Sequence, residues 1–214
     1  SVYSRMAGYE DTNDADRVAI DPVFRVVLGR EGKDEHGAKL NTMSRFETEI
    51  LVTDENRHGL KSMNRARIDT ALTRTKFKRV VLDMDSSDSP VFGHQEGGKY
   101  NGYYGLKCYH PLFIFNQFGD TESALLREGN VHSADRWDKV LLPVIEHYEA
   151  LGVEILFRGD NAFAKPEIYE YLESRPRPIA YVMRLADNSV LQRLVEPFLK
   201  RPEELGEERK HIIR

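Results

Sequence analysis

Three aspartates, Asp83, Asp85 and Asp88, follow a short apolar run in the stretch KRVVLDMDSSDSPVFGHQEGG, Lys78 to Gly98. Val80, Val81 and Leu82 have the β-branched, apolar character of a buried strand, and a carboxylate is expensive to bury unless it is paired or binds a cation. Another aspartate, Asp160, closes a second strand-like run, EILFRGDNAF. Carboxylates at strand ends are the donors that a hard divalent cation takes. Magnesium prefers oxygen ligands and keeps several waters, so two or three carboxylates plus phosphate oxygens of a substrate complete its shell. Period-2 alternation points Asp83 and Asp85 to the same side, so orientation alone does not separate them. Asp85 stands nearer the open end and is the preferred ligand, while Asp88, beyond the strand, reads as a turn residue.

The elements that must position these groups are legible from Phe77 onward. FKRVVLDMD is strand-like, YYGLKCYHPLFIFNQFG carries an aromatic and β-branched run, and ESALLREGN reads as a third short strand ending in a turn. SADRWDKVLLPVIEHYEALG then predicts a helix, with Ser133 as N-cap, an apolar stripe through Trp137, Val140, Leu141, Val144, Ile145 and Tyr148, and Gly152 as its stop. Pro143 inside that pattern predicts a kink. VEILFRGD is a fourth strand, KPEIYEYLES a helix with Pro166 in its first turn, PIAYVMRL a fifth strand and SVLQRLVEPFLKRP a further helix. Three strands, helix, strand, helix, strand, helix is the order of an α/β, ribonuclease-H-like mixed sheet flanked by helices. In such a sheet the first and fourth strands are adjacent and parallel, which brings Asp85 and Asp160 to one edge. Two cations held there would activate a nucleophilic water or 3'-hydroxyl and stabilise the leaving oxygen of a phosphodiester. Ahead of this core, residues 1–76 read as a mainly helical segment interrupted by a polar loop at Glu31 to Leu40; residues 77–214 form the core.

With 214 residues the chain can bury a real core, and a single cysteine, Cys108, excludes an internal disulfide framework and a multi-cysteine zinc site. No signal peptide is visible, and no apolar run approaches the roughly 20 residues of a membrane span. A net charge of -4 gives no overall attraction to nucleic acid, so any such contact must come from local basic patches. The best of these runs from Lys61 to Arg79 and includes Lys76, Lys78 and Arg79; the alternative is a solvated helix face. In GHQEGGKYNGYYG and its surroundings, Lys99, Lys107 and Arg158 are phosphate-contact candidates, with Tyr100, Tyr103 or Tyr104 available to stack on bases. From spacing alone, tyrosines packed on a sheet face are the preferred reading of that hairpin. His94 and His110 suit hydrogen bonding better than ligation of a hard cation. Cys108 reads as a core residue, and the acidic GYEDTNDADR as solvated turn and helix cap, since it lacks the glycine and terminal glutamate of a calcium loop.

The blocks VLDMDSSDSPVFGHQEGGKYNGYYGLKCYHPLFIF, ALLREGN and ILFRGDNAFAKPEIYEYLE resemble, in order and separation, the DDE transposases of bacterial insertion sequences. The similar branch has an Asp-x-Asp-x-Thr first motif, then Gly-x-Gln, Tyr-Asn-Gly-Tyr-Tyr-Gly, Leu-Arg-x-Gly and Arg-Gly-Asp. GYEDTNDADRVAIDPVFRVVLG and SRFE resemble the segment ahead of that branch's core. The resemblance implies cleavage at element ends and transfer of a 3'-hydroxyl to target DNA, with Mg2+ or Mn2+ as cofactor, DNA as partner, a homodimer in the full-length protein, and a cytoplasmic, nucleoid-associated location. It assigns Asp85 and Asp160 as the first two catalytic carboxylates, and makes Gln95 and Lys99 better candidates near them. Ser87 replaces the usual threonine. No motif matches the third carboxylate, although Glu196, Glu203, Glu204, Glu207 and Glu208 lie downstream. The core is therefore expected to be truncated before the catalytic glutamate and inactive alone. A catalytically dead DNA-binding or dimerising remnant, and a metal-dependent nuclease, are the alternatives.

Overall fold

The computed structural model describes residues 2–9, 11–30, 35–75, 77–186 and 188–196. The chain divides into two compact units, Ser1–Ala71 and Leu72–Arg214.

The first unit is built from short helices: α1 (Val2–Met6), α2 (Ala15–Ile20), α3 (Pro22–Val27) and α4 (Leu40–Arg45), the last continuing into a π-helical turn at Phe46–Ile50. Asp21 and Pro22 explain the break between α2 and α3. The Asp21 carboxylate accepts from Phe24 N at 3.0 Å, while Pro22, with no N–H to lose, fills the first position of α3. The acidic run is used locally: Asp11 accepts from Asn13, and Asp16 Oδ1 accepts from Leu40 N at 3.1 Å. Gly37 is required where two segments meet, because a Cβ there would lie 3.1 Å from Ala19 Cα. A long helix, α5 (Asp54–Thr73), carries much of the basic run and ends just inside the second unit.

The second unit holds a five-stranded sheet formed by β1 (Arg79–Ser86), β5 (Leu112–Asn116), β6 (Thr121–Leu125), β7 (Glu154–Gly159) and β8 (Ala180–Met183), in the order β6-β5-β1-β7-β8. β1 is antiparallel to β5 and parallel to β7, β5 is antiparallel to β6, and β7 is parallel to β8. This is the ribonuclease-H-like arrangement expected from the sequence. Alternation in β1 buries Val80, Leu82 and Met84 and turns Asp83 and Asp85 to the other face. Helix α6 (Trp137–Ala150) packs on β5, β6 and β7 through Val140, Leu141, Val144, Ile145 and Tyr148, all buried as its stripe predicts. Helix α7 (Pro166–Glu173) starts at Pro166 and buries Ile168 and Leu172; α8 (Ser189–Val195) is capped by Asn188, which accepts from Val190 N and Leu191 N.

Two details depart from the sequence reading. The aromatic run expected as one strand is two: β4 (Leu106–Tyr109) belongs to a separate three-stranded sheet with β2 (Ser89–Pro90) and β3 (Lys99–Asn101), in the order β2-β4-β3. Pro111 has no ladder donor, and His110 N turns away to Arg127 O at 3.1 Å, so pairing stops between β4 and β5. Ser133 does not cap α6. The helix begins four residues later, after Arg136, the sole non-glycine residue with positive φ among the described residues, at 53°. Pro143 lies inside α6, where the sequence pattern placed it.

The carbonyls ahead of α6 are satisfied instead by Arg127. This arginine is 2% exposed; its Nε donates to His110 O, and its Nη1 to His132 O, Ser133 O and Asp135 O. Burial pushes its pKa down to about 10, which leaves it cationic near neutrality. Gly129 beside it approaches β3 and β4 so closely that a Cβ would fall 2.1 Å from Cys108 O and 2.4 Å from Lys99 O. The Leu-Arg-x-Gly block is thus a structural staple.

Candidate active site

β1 and β7 run in register with a constant offset of 75 residues, from Arg79↔Glu154 to Met84↔Gly159. One residue beyond that register, Asp85 lies near the end of β1 and Asp160 directly follows β7; the two strands are adjacent and parallel, about 4.8 Å apart. Two residues earlier on each strand, Asp83 and Arg158 meet in a salt bridge across the ladder. Gly159 allows the chain to fold sharply into the 3-10 turn Asn161–Phe163, since a Cβ there would press on Phe163 at 3.3 Å.

Each strand-end carboxylate is oriented by its own backbone. Asp85 Oδ1 accepts from Ser86 N at 2.8 Å, and Asp160 Oδ1 accepts from Ala162 N at 2.9 Å as the cap of that turn. Both residues are exposed. Asp83 is separated from them in chemistry. Arg158 Nε and Nη2 grip its two oxygens in a bidentate pair, and that hydrogen bonding holds the guanidinium pKa above its ordinary value. The structure therefore distinguishes the two aspartates that alternation could not, and Arg158 is the charge partner of Asp83. The signal was present in the sequence: opposite charges stand two residues ahead of each strand-end aspartate.

Asp88 lies in the short link between β1 and β2. Tyr104 is close to it. Its phenol is raised above the ordinary value by burial first, then by the negative charges of Asp88 and, less, Tyr103 and Asp85. The Tyr104 ring meets His110 edge-on at 5.7 Å and Tyr103 at 5.0 Å.

Lys99 and Lys107 stand on the three-stranded sheet, where Tyr100 pairs with Lys107 and Lys99 with Cys108; Lys107 Nζ donates to Gly93 O at 3.2 Å. Lys78 and Arg79 are at the other end of β1, about 20 Å of strand rise from Asp85. Arg79 is bridged to Glu154 at 2.7 Å. Lys76 lies outside the described residues, as do Glu203, Glu204, Glu207 and Glu208; Glu196 caps the end of α8 and is exposed. His94 is exposed, His110 is buried with Nδ1 3.0 Å from Val131 O, and Cys108 is fully buried as expected.

The donor chemistry of Asp85 and Asp160 fits a hard divalent cation, with oxygen ligands only and one oxygen on each left for a partner. Among the described residues no group of three or more His, Cys, Asp or Glu gathers closely enough to hold a metal by itself. Two carboxylates then require water and substrate oxygens to complete a shell. No helix among the described residues is long and apolar enough to cross a membrane.

The sheet has the ribonuclease-H-like strand order, with Asp85 and Asp160 at the ends of two of its adjacent strands. The chain belongs to the family described as transposase DDE domain group 1, whose model matches residues 1–212, a family of DNA phosphoryl-transfer enzymes. No curated protein matches the chain. Similar solved structures include the piggyBac transposase synaptic complex with hairpin DNA, at 14% identity over 57% of this chain and 26% of that one, with a TM-score of 0.40. They also include the Mos1 transposase paired-end complex with left transposon end, at 12% identity over 86% of this chain and 68% of that one, with a TM-score of 0.30. A pre-cleavage Mos1 transpososome gives 10% identity, the same coverages and a TM-score of 0.31. The chain spans about a quarter of the length of the piggyBac transposase chain.

Proposed function

We propose that this chain is the part of a transposase that holds a DNA phosphodiester against Asp85 and Asp160 for strand cleavage and 3'-hydroxyl transfer. The observation that supports the reading is the parallel register of β1 on β7, which ends one residue short of Asp85 and Asp160. Magnesium, or manganese in its place, supplies when bound an activated water or 3'-hydroxyl and charge neutralisation at the leaving oxygen.

The chain's own residues prepare that site. Ser86 N and Ala162 N each engage one carboxylate oxygen, leaving the other to face the cation. The Asp83–Arg158 pair cancels a third negative charge beside the site, so the local charge is that of two carboxylates. Lys99 and Lys107 contact the phosphates of the bound strand from the three-stranded sheet. Lys78 and Arg79 form a separate phosphate contact at the far end of β1, reached only by a longer duplex; Lys76, outside the described residues, is a further phosphate-contact candidate. Glutamate as a third ligand, and assembly as a homodimer around two DNA ends, belong to the same reading.

Titration calorimetry with magnesium and with manganese, on the wild-type chain and on Asp85→Ala and Asp160→Ala, tests the site. Loss of binding in both variants is expected. Binding that is absent in the wild type, or untouched by both substitutions, overturns it.

A further inference from the structure

We propose that the tip of the β3–β4 hairpin is a stacking site for an unpaired base of the DNA strand brought to Asp85 and Asp160, with Tyr103 supplying the ring. This rests on the DNA reading of the carboxylate site and adds a base-binding element to it.

The hairpin is built to present an aromatic side chain that nothing in the unit covers. Tyr103 is 91% exposed and Tyr100 65% exposed. Tyrosines on a sheet normally bury their rings, and the sequence alone favours that outcome here. The exposure is not that of a loose loop. Asn101 is buried and fixes the tip from below: its Oδ1 accepts from Tyr103 N at 2.9 Å and Tyr104 N at 3.3 Å, and its Nδ2 donates to Gly129 O at 2.6 Å. Gly105 closes the turn with φ at 70° and its N donating to Asn101 O at 2.8 Å. Gly129 is in turn held beside the buried Arg127, so the tip is tied to the framework of the unit.

Position and charge choose the occupant. Tyr104 meets Tyr103 edge-on at the tip, and its phenol is raised by burial first, then by the charge of Asp88 and, less, Tyr103 and Asp85. Lys107 sits directly across from Tyr100, and Lys99 precedes it. An exposed ring on a tied-down tip, with Lys99 and Lys107 on the two strands that lead to it and carboxylates that would hold a phosphate, matches a nucleotide: cation to backbone, ring to base. A base still paired in a duplex has its faces covered by its neighbours. An unpaired one exposes a face, and stacking on a protein aromatic is tolerant of base identity.

The test uses the whole chain with magnesium and two oligonucleotides of equal length: a blunt duplex, and a duplex ending in three unpaired nucleotides that include 2-aminopurine. Wild type is expected to bind the frayed end more tightly and to quench its 2-aminopurine. Tyr103→Ala is expected to lose about tenfold in affinity for the frayed end, while its affinity for the blunt duplex changes little. Tyr103→Trp is expected to keep both. Because Tyr103 is almost wholly exposed, the variants are expected to fold, which circular dichroism verifies. If Tyr103→Ala weakens both DNAs equally, or neither, the stacking site is wrong while the DNA reading stands. If wild type binds neither DNA, both fall together.

Discussion

Arg158 and Asp83 face each other across β7 and β1 in a bidentate pair, one alternation step behind Asp160 and Asp85. The same ladder that leads to the two catalytic candidates thus pairs off a neighbouring carboxylate. Substituting both members of the pair, Asp83→Asn with Arg158→Gln, leaves the net charge unchanged and the two strand-end oxygens in place. Divalent binding in that double variant is expected to stay within about threefold of wild type by calorimetry, against a loss of about tenfold or more for Asp85→Ala or Asp160→Ala. The pair is half-exposed, so its removal is expected to lower stability by no more than about 1 kcal/mol. Abolished binding in the double variant would identify Asp83 as a ligand.

Arg127 carries a larger structural load. It donates to four carbonyls from a position closed to solvent, and replacing it with Met would leave those carbonyls without their donor. Urea unfolding of Arg127→Met is expected to show a loss of about 3 kcal/mol or more. Gly129→Ala should be comparably damaging, since its Cβ would collide with two backbone carbonyls rather than with a flexible side chain. Wild-type midpoints in both variants would mean that the staple is dispensable.

Much of this architecture was legible in the sequence because it rests on local, periodic signals. Val80, Leu82 and Met84 alternate with Asp83 and Asp85, the α6 stripe recurs at helical spacing, and Pro166 marks the start of α7. Topology then followed from element order, and with it the parallel pairing of β1 and β7, the strands that lead to Asp85 and Asp160. What the sequence hid depends on long-range partners. A strong β run through Tyr109 and Leu112 gives no sign that His110 will bond to Arg127 O, and Ser133 looks like a cap until Arg127 takes the carbonyls around it. Likewise, period-2 spacing cannot say which face of a small sheet is covered, and Tyr103 proved bare where a packed ring was expected.

Cys108 supplies a probe of the small sheet. It is fully buried, and burial first, then the charge of Asp88, push its thiol pKa up. In the native state it is expected to resist a thiol-specific chromogenic reagent at about pH 8, where an unperturbed thiol is partly ionised, and to react at once in urea. Since Gly129 packs on the Cys108 carbonyl, Gly129→Ala is expected to expose the thiol under native conditions. A native thiol that reacts as fast as the unfolded one would show that β2, β3 and β4 do not close over it.

His132 makes the stability of the α6 entry sensitive to acid. Its Nδ1 accepts from Ala134 N at 3.1 Å, a role that protonation abolishes. Burial first, then the positive charges of Lys165 and Arg127, hold its pKa below the ordinary value of 6.5, against the opposing pull of Asp135. Between that lowered pKa and 6.5 the unfolded chain binds more protons than the folded one, so stability rises with pH through this window and falls as pH drops. Below the folded pKa the loss is complete and constant. His132→Asn keeps a side-chain acceptor for Ala134 N but does not titrate, and is expected to lose less stability than wild type between about pH 7 and pH 5 in parallel urea titrations. Identical pH profiles for the two proteins would place the acid sensitivity elsewhere, and a steeper loss in the variant would reverse the sign argued for His132.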